Sequence, residues 1–168
     1  MIKPQELLEF LKERRTIRNY QDKPIAEEHI EMILEAGRWT PSASNRQPWE
    51  FIVIKNREIL QTISKTGAYG FPLKKAPMGI AIVGKKLENP NWYIQDTSLA
   101  SMNMMLMAWA LNIGMCWIGS MDREYVKGLL GLGKDDFLLT VLAVGYIKGK
   151  APTSITRKSI EEITRILK

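Results

Sequence analysis

Apolar residues fall at helical spacing near the start of the chain, where Leu7, Leu8, Phe10 and Leu11 predict a first helix ending near Arg14-Arg15. Pro24 stands just ahead of a second helix, whose apolar face is Ile30, Ile33 and Leu34 and which stops around Gly37. A polar, turn-rich stretch from Thr40 to Pro48 leads into Phe51-Ile52-Val53-Ile54, a β-branched run that reads as a strand. Ile59, Leu60 and Ile63 mark a short helix, and Gly79 to Val83 a second strand. A long helix from about Tyr93 to Asn112 follows, with Gly114 as its expected stop. Cys116-Trp117-Ile118 reads as a buried strand, Tyr125, Val126, Leu129 and Leu130 as another helix, and Leu139 to Tyr146 as the strongest strand signal. Ile160, Ile163, Ile166 and Leu167 place a final amphipathic helix near the C-terminus. The elements lack the even alternation of a doubly wound sheet. The expected class is therefore α+β, in one domain over residues 1–168, with no internal repeat.

Most of the long helix falls in a stretch, Thr97 to Met121, that carries no charged residue. Its polar Thr97, Ser98, Ser101, Asn103 and Asn112, and its flanking Asp96 and Asp122, argue against a membrane span. A helix buried in a core or in a subunit interface fits better. The chain of 168 residues is 45% apolar and 25% charged, a globular composition. The N-terminal residues lack an apolar signal core, so a cytoplasmic protein without a membrane partner is expected. One Cys and one His leave no material for an internal disulfide or a zinc cluster. Cys116 reads as a small buried hydrophobe and His29 as part of a surface helix.

The net charge of +6 sits at the two ends: residues 1–24 contribute +2, residues 146–168 contribute +4, and the middle is neutral. Solvated basic ends explain this as well as a bound anion does; a nucleic-acid partner is disfavoured by the neutral middle. Gly128 to Lys134 matches GxxxxGK, but Asp135 stands where a phosphate-binding loop needs Ser or Thr. A glycine-rich helix end is sufficient to explain it.

Three segments carry more chemistry. Arg14-Arg15-Thr16-Ile17-Arg18-Asn19-Tyr20 gathers three guanidinium groups and a hydroxyl as a helix ends, a set able to grip a phosphorylated planar ligand, although such ends are commonly just solvated. Pro41-Ser42-Ala43-Ser44-Asn45-Arg46-Gln47-Pro48-Trp49 offers amide groups that can read a heterocycle edge, on a loop stiffened by proline. Arg157-Lys158 adds a further anion site after the last strand.

Together these segments resemble the FMN-dependent nitroreductase family, in order and over essentially the whole chain. The family's early Arg-x-Ser/Thr-x-Arg/Lys with a following aromatic and Pro is matched by Arg14 to Arg18, Tyr20 and Pro24. Its Pro-Ser-x-x-Asn-x-Gln-Pro-Trp loop is matched by Pro41, Ser42, Asn45, Gln47, Pro48 and Trp49. The apolar helix opened by Asp96, the Gly145-Tyr146 pair and the final basic pair follow in the expected order.

The resemblance implies a central, mostly antiparallel sheet flanked by helices, in an interlocked homodimer with FMN at the subunit interface. Arg14, Arg15, Thr16, Arg18, Arg157 and Lys158 of one subunit would bind FMN. Pro41, Ser42, Ala43, Asn45 and Gln47 would come from the other, and backbone at Ile118 and Gly119 would approach the reactive ring edge. The implied activity passes two electrons from NADH or NADPH through flavin to a nitroaromatic, quinone or similar acceptor, by a ping-pong mechanism. No catalytic side chain is called for, since the flavin carries the chemistry, and no metal. A flavin-binding or regulatory protein of the same fold with little turnover is the alternative. Trp39, Tyr69 and Phe71 are candidate cleft aromatics, with core packing the blander role for each.

Overall fold

The computed structural model describes residues 2–153 and 155–167. Two helices come first, α1 (Pro4–Glu13) and α2 (Glu27–Arg38), then a 3-10 turn over Ala43–Asn45. Strand β1 (Trp49–Ile54), helices α3 (Arg57–Ser64) and α4 (Phe71–Lys75), and strand β2 (Met78–Lys85) follow. The rest is helix α5 (Tyr93–Ala110), strand β3 (Ile113–Ile118), helix α6 (Arg123–Leu129), strand β4 (Asp136–Tyr146) and a short α7 (Ile160–Ile163). The four strands form one sheet in the order β1-β2-β4-β3, every neighbouring pair antiparallel. This is the α+β architecture expected.

Both faces of the sheet are covered, so β2 and β4 in its centre read as near-continuous apolar runs, interrupted in β4 by the buried Thr140, rather than as alternating ones. Side chains alternate between two separate clusters with the period of the strand. Ala81, Val83, Val141 and Ala143 pack with Leu60, Ile63, Leu73 and Val126 from α3, α4 and α6. Ile80, Ile82, Leu142 and Val144 pack on the other face with Ile30, Ile33, Met104 and Ala108 from α2 and α5.

Helix α5, uncharged after Asp96, is covered on one side only. Ala100, Ser101, Met104 and Ala108 are buried, while Leu99 and Met102 are exposed. Helix α1 buries none of its residues, although it is strongly amphipathic. Between α1, α2 and α5 runs an apolar groove of about 470 Å³, lined among others by Leu7, Phe10, Leu106 and Met107. Among the described residues no helix is long and apolar enough to cross a membrane.

Three local expectations change. Helix α5 is stopped by Asn112, whose φ of 56° supplies the left-handed position, and Gly114 instead lies inside β3. The final helix shrinks to the four residues of α7, closed by a capping box between Ser159 and Glu162. Thr164 is already extended and Ile166 and Leu167 stand in solvent, because no neighbouring surface is present to reward a longer apolar face. The turn of helix at α4 adds an element that the apolar pattern did not announce.

Candidate functional site

Segment 14–20 leaves the end of α1 and lies flat along the β3 edge of the sheet. The Ile17 amide donates to the Met115 carbonyl (3.1 Å), and the Gln21 amide to the Tyr146 carbonyl (2.9 Å). Ile17 and Tyr20 point inward and are buried, which turns Thr16 and Arg18 outward. Their seats are glycines. Gly114 and Gly145 are cross-strand partners. A Cβ on Gly114 would lie 2.4 Å from the Ile17 Cβ, and one on Gly145 2.7 Å from the Tyr20 Cβ. Backbone contact this close is a reason for glycine inside a strand. The Tyr20 hydroxyl donates to the carbonyl of Ile17 (2.6 Å) and also lies 3.2 Å from that of Ala143, and burial pushes its phenol pKa up. The segment is thus fixed to a rigid floor.

The charges it carries are unevenly satisfied. Arg14 is half-buried, and its Nη1 is buried without a hydrogen-bond partner among the described residues. Burial, then the nearby Arg157 and Arg15, push the Arg14 pKa down. A buried donor without a partner is costly, and like charges nearby make it more so. An anion seated there would remove both penalties. Arg15 differs: it donates to the carbonyls of Lys12, Arg14 (3.0 Å) and Pro152 (2.8 Å). It caps the end of α1 and ties it to the C-terminal segment, where Arg157 and Lys158 are exposed. Arg18 stands beside Cys116, whose thiol pKa burial raises against the pull of that guanidinium. Cys116 is a protonated core residue and no nucleophile.

The loop from Pro41 to Gln47 is built by different means. Ser44, Asn45 and Gln47 all adopt positive φ, at 55°, 53° and 52°. Three non-glycine residues in the left-handed region within four positions mark backbone held in place by its surroundings. The holder is Asp96 in the first turn of α5, buried, which accepts from the Ala43 amide (3.2 Å) and from the Asn89 side chain (3.0 Å). Asn103, farther along α5, donates to the Thr40 hydroxyl (2.8 Å). Within the loop, the Ser42 hydroxyl accepts from the Gln47 amide (2.9 Å). The sequence drew attention to Asp96 only as a helix start. Its tie to a loop more than fifty residues earlier in the chain is invisible until the fold joins them.

Ile118 closes β3, its carbonyl accepting from the Thr140 hydroxyl (3.0 Å), and the Gly119 carbonyl accepts from Arg123 (3.1 Å). The end of that strand is therefore stiff, with little side-chain bulk at Gly119. Phe71 opens α4 and lines a cleft with Thr16, Arg18 and Lys75. Core packing fails for the three candidate aromatics, which are all exposed, Trp39 at 74%. Trp39 does not line that cleft: its indole donates to Glu35 on α2. The GxxxxGK stretch is a helix stop. Gly131, at φ 70°, donates to Gly128 and Leu132 donates to Lys127, a Schellman motif ending α6.

The basic segment and the polar loop do not meet within the chain. Segment 14–18 borders β3 and loop 41–47 feeds β1, and these are opposite edges of the sheet, about 14 Å apart at ordinary strand spacing. Among the described residues no hydrogen bond or ion pair joins them.

A sequence model of the nitroreductase family matches residues 11–71 and 64–146, which spans both halves of this arrangement. The chain belongs to the nitroreductase family. Among its relatives, a protein of Methanothermobacter thermautotrophicus that carries the provisional name NADH dehydrogenase/NAD(P)H nitroreductase is 39% identical, over 84% of this chain and 77% of its own. The nitroreductase fold is equally plain. The solved structure of an FMN-dependent nitroreductase from Clostridium difficile matches with a TM-score of 0.80 at 31% identity, covering 87% of this chain and 91% of that one. A provisionally named nitroreductase from Desulfovibrio desulfuricans, solved in complex with FMN, matches with a TM-score of 0.86 at 27% identity, covering 98% and 96%.

Proposed function

We propose that this nitroreductase-family protein binds FMN and passes electron pairs from NADH or NADPH to a small oxidised acceptor such as a quinone or nitroaromatic. The observation that carries the reading is the Arg14 guanidinium, with a buried unpartnered Nη1 and Arg157 and Arg15 nearby. A phosphate monoester is the ligand that such a cluster is chemically suited to hold. FMN, when bound, supplies the two-electron carrier that the protein's own side chains lack.

The roles of the chain's residues follow from their placement. Arg14 and Arg157 take the phosphate, with Lys158 alongside. Arg15 keeps the C-terminal segment against α1 through the Pro152 carbonyl. Thr16 and Arg18, turned outward by the buried Ile17 and Tyr20, face the ligand, and Arg18 places positive charge at the pyrimidine edge. Positive charge there favours the reduced, anionic form and so favours acceptance of hydride. Backbone at Ile118 and Gly119 borders the reactive edge.

Loop 41–47 does not reach the same site within the chain, and α1 and α5 leave Leu7, Leu8, Leu11, Leu99 and Met102 exposed. Both features are accounted for by a homodimer in which Pro41, Ser42, Ala43, Asn45 and Gln47 of the second subunit complete the site. The net reaction with a quinone consumes NAD(P)H and a proton and yields NAD(P)⁺ and hydroquinone. One cleft serving both substrates in turn gives parallel lines in double-reciprocal plots. The test is the visible spectrum of the purified protein with stopped-flow mixing against NAD(P)H. A flavin absorbance that bleaches rapidly is expected. A colourless protein whose melting temperature does not rise with FMN would overturn the reading. Bound flavin that NAD(P)H leaves oxidised would point to the binding protein without turnover.

A further inference from the structure

Next to Arg18 lie two clefts with a common wall. The inner one, of about 320 Å³, is lined by Thr16, Arg18, Phe71 and Lys75 with Lys148 and Lys150. The outer one, of about 460 Å³, is lined by Asn19, Asp22, Arg57, Lys74, Lys75 and Lys148. Asn19, Lys75 and Lys148 belong to both. Cations thus converge from three parts of the chain: the start of α3, the last turn of α4 and the segment after β4.

Their charge is not balanced locally. Asp22 is the one carboxylate of the outer cleft, and Arg57 engages it at 3.6 Å. Lys74, Lys75 and Lys148 have no ion pair among the described residues. Elsewhere some exposed cations find partners among the described residues, as Lys55 does with Glu27 at 2.6 Å and Lys12 with Glu9 at 2.8 Å, and others such as Lys65, Lys86 and Lys134 do not, so what marks this cleft is the convergence of its cations and not their lack of partners. Solvated lysines would be unremarkable singly. Several that border one concave surface, without a counter-charge, form a field able to hold a dianion.

From this placement we infer that the outer cleft binds the 2′-phosphate of NADPH and makes it the preferred electron donor over NADH. The inference rests on the flavin reading above, in which Arg18 and the inner cleft face the ring. With FMN over Thr16 and Arg18, a dinucleotide whose nicotinamide stacks on the ring extends past the rim of the inner cleft, whose wall at Lys75 and Lys148 is shared with the outer one. That wall is the basic one. NADPH carries a phosphate dianion on its adenosine ribose where NADH carries a neutral hydroxyl. Lys74 and Arg57 act on that difference alone, since ammonium and guanidinium groups gain far more from a phosphate than from a hydroxyl.

Titration calorimetry on the purified protein, with 2′,5′-ADP, 5′-ADP and 5′-AMP as probes, tests the cleft without requiring turnover. Binding of 2′,5′-ADP about tenfold tighter than either other nucleotide is expected, and Lys74→Gln with Arg57→Gln should abolish the difference. The same double variant should retain its flavin spectrum while its ratio of kcat/KM for NADPH over NADH falls about tenfold. Equal binding of 2′,5′-ADP and 5′-ADP would overturn the inference, showing a general attraction for anions. A kinetic ratio that the double variant leaves unchanged would overturn it too. If 2′,5′-ADP binds selectively but no flavin is present, the phosphate cleft stands and the flavin reading falls.

Discussion

Segment 14–20 is laid on the sheet by buried Ile17 and Tyr20 and leaves a guanidinium nitrogen of Arg14 without a partner, whereas loop 41–47 is tied from behind by α5 and satisfies many of its polar groups internally. The first is a rigid, under-satisfied surface that a ligand would complete. The second is a strained but self-consistent turn that offers shape. A site composed of both has its electrostatic attraction concentrated in one half and its geometric selection in the other. The contrast predicts different failures when each half is damaged.

The largest effect is expected from the floor beneath the basic segment. Gly114→Val places branched carbon where a Cβ alone would be 2.4 Å from Ile17, so the segment must lift from the sheet. Overpacking costs about 1–3 kcal/mol and occasionally more, and a clash with the Ile17 Cβ, which no change of rotamer can relieve, belongs at the upper end. A large fall in melting temperature should accompany loss of FMN binding. Retained stability with retained flavin would show that the segment is not held as described.

Arg14→Ala with Arg157→Ala breaks the same half without touching its floor. It removes like charges from one another, so the protein without ligand should be no less stable. FMN affinity should fall at least about a hundredfold, roughly the loss of two charge-assisted contacts. Fluorescence titration with FMN, beside a thermal melt without it, separates the two effects. A variant that bound FMN as tightly as the parent would remove the phosphate assignment.

How much of this contrast the sequence discloses depends on whether a residue acts locally. The core strands, α2 and α5 follow from short-range apolar spacing, and Arg14, Arg18 and the Pro41–Gln47 loop stand out by composition and by resemblance. Gly114 misleads because a glycine after a helix is ordinarily its stop, and nothing near it in sequence reveals Ile17 lying across it. Asn112 takes the stop instead, as only the backbone dihedral shows. Asp96 is legible as a helix start and not as the anchor of Ala43, since that bond spans the fold. Ile166 and Leu167 keep helical spacing without helix, because amphipathic spacing becomes structure only where there is a surface to cover.

Damage to the loop half should be milder and of another kind. Asp96→Ala strips the Ala43 amide and the buried Asn89 side chain of their acceptor, a penalty of about 1–3 kcal/mol for each group left unsatisfied. The basic segment is untouched, so FMN should still bind, more weakly and with less selectivity for the ring. Comparing the affinity for FMN with that for ribose 5-phosphate measures this: the ring's contribution should shrink and the phosphate's should persist. Equal loss for both ligands would place the loop's role in general stability.

The smallest effect tests strain directly. Ser44 holds φ at 55° on an exposed position of the turn. Glycine accepts that conformation without the steric cost, of order 1 kcal/mol, that a side chain incurs there. It also widens the unfolded ensemble by nearly as much, which offsets the gain. Ser44→Gly should therefore change stability by less than about 0.5 kcal/mol in either direction, while hydrogen exchange at the amides of Asn45 to Gln47 speeds up. The Ser42 hydroxyl and Asp96 still define the loop's outer bonds in that variant, so its overall path should survive. If instead the substitution markedly destabilised the protein, the Ser44 side chain would have to make a contact that its exposure argues against, and the loop would owe its shape to that residue more than to α5.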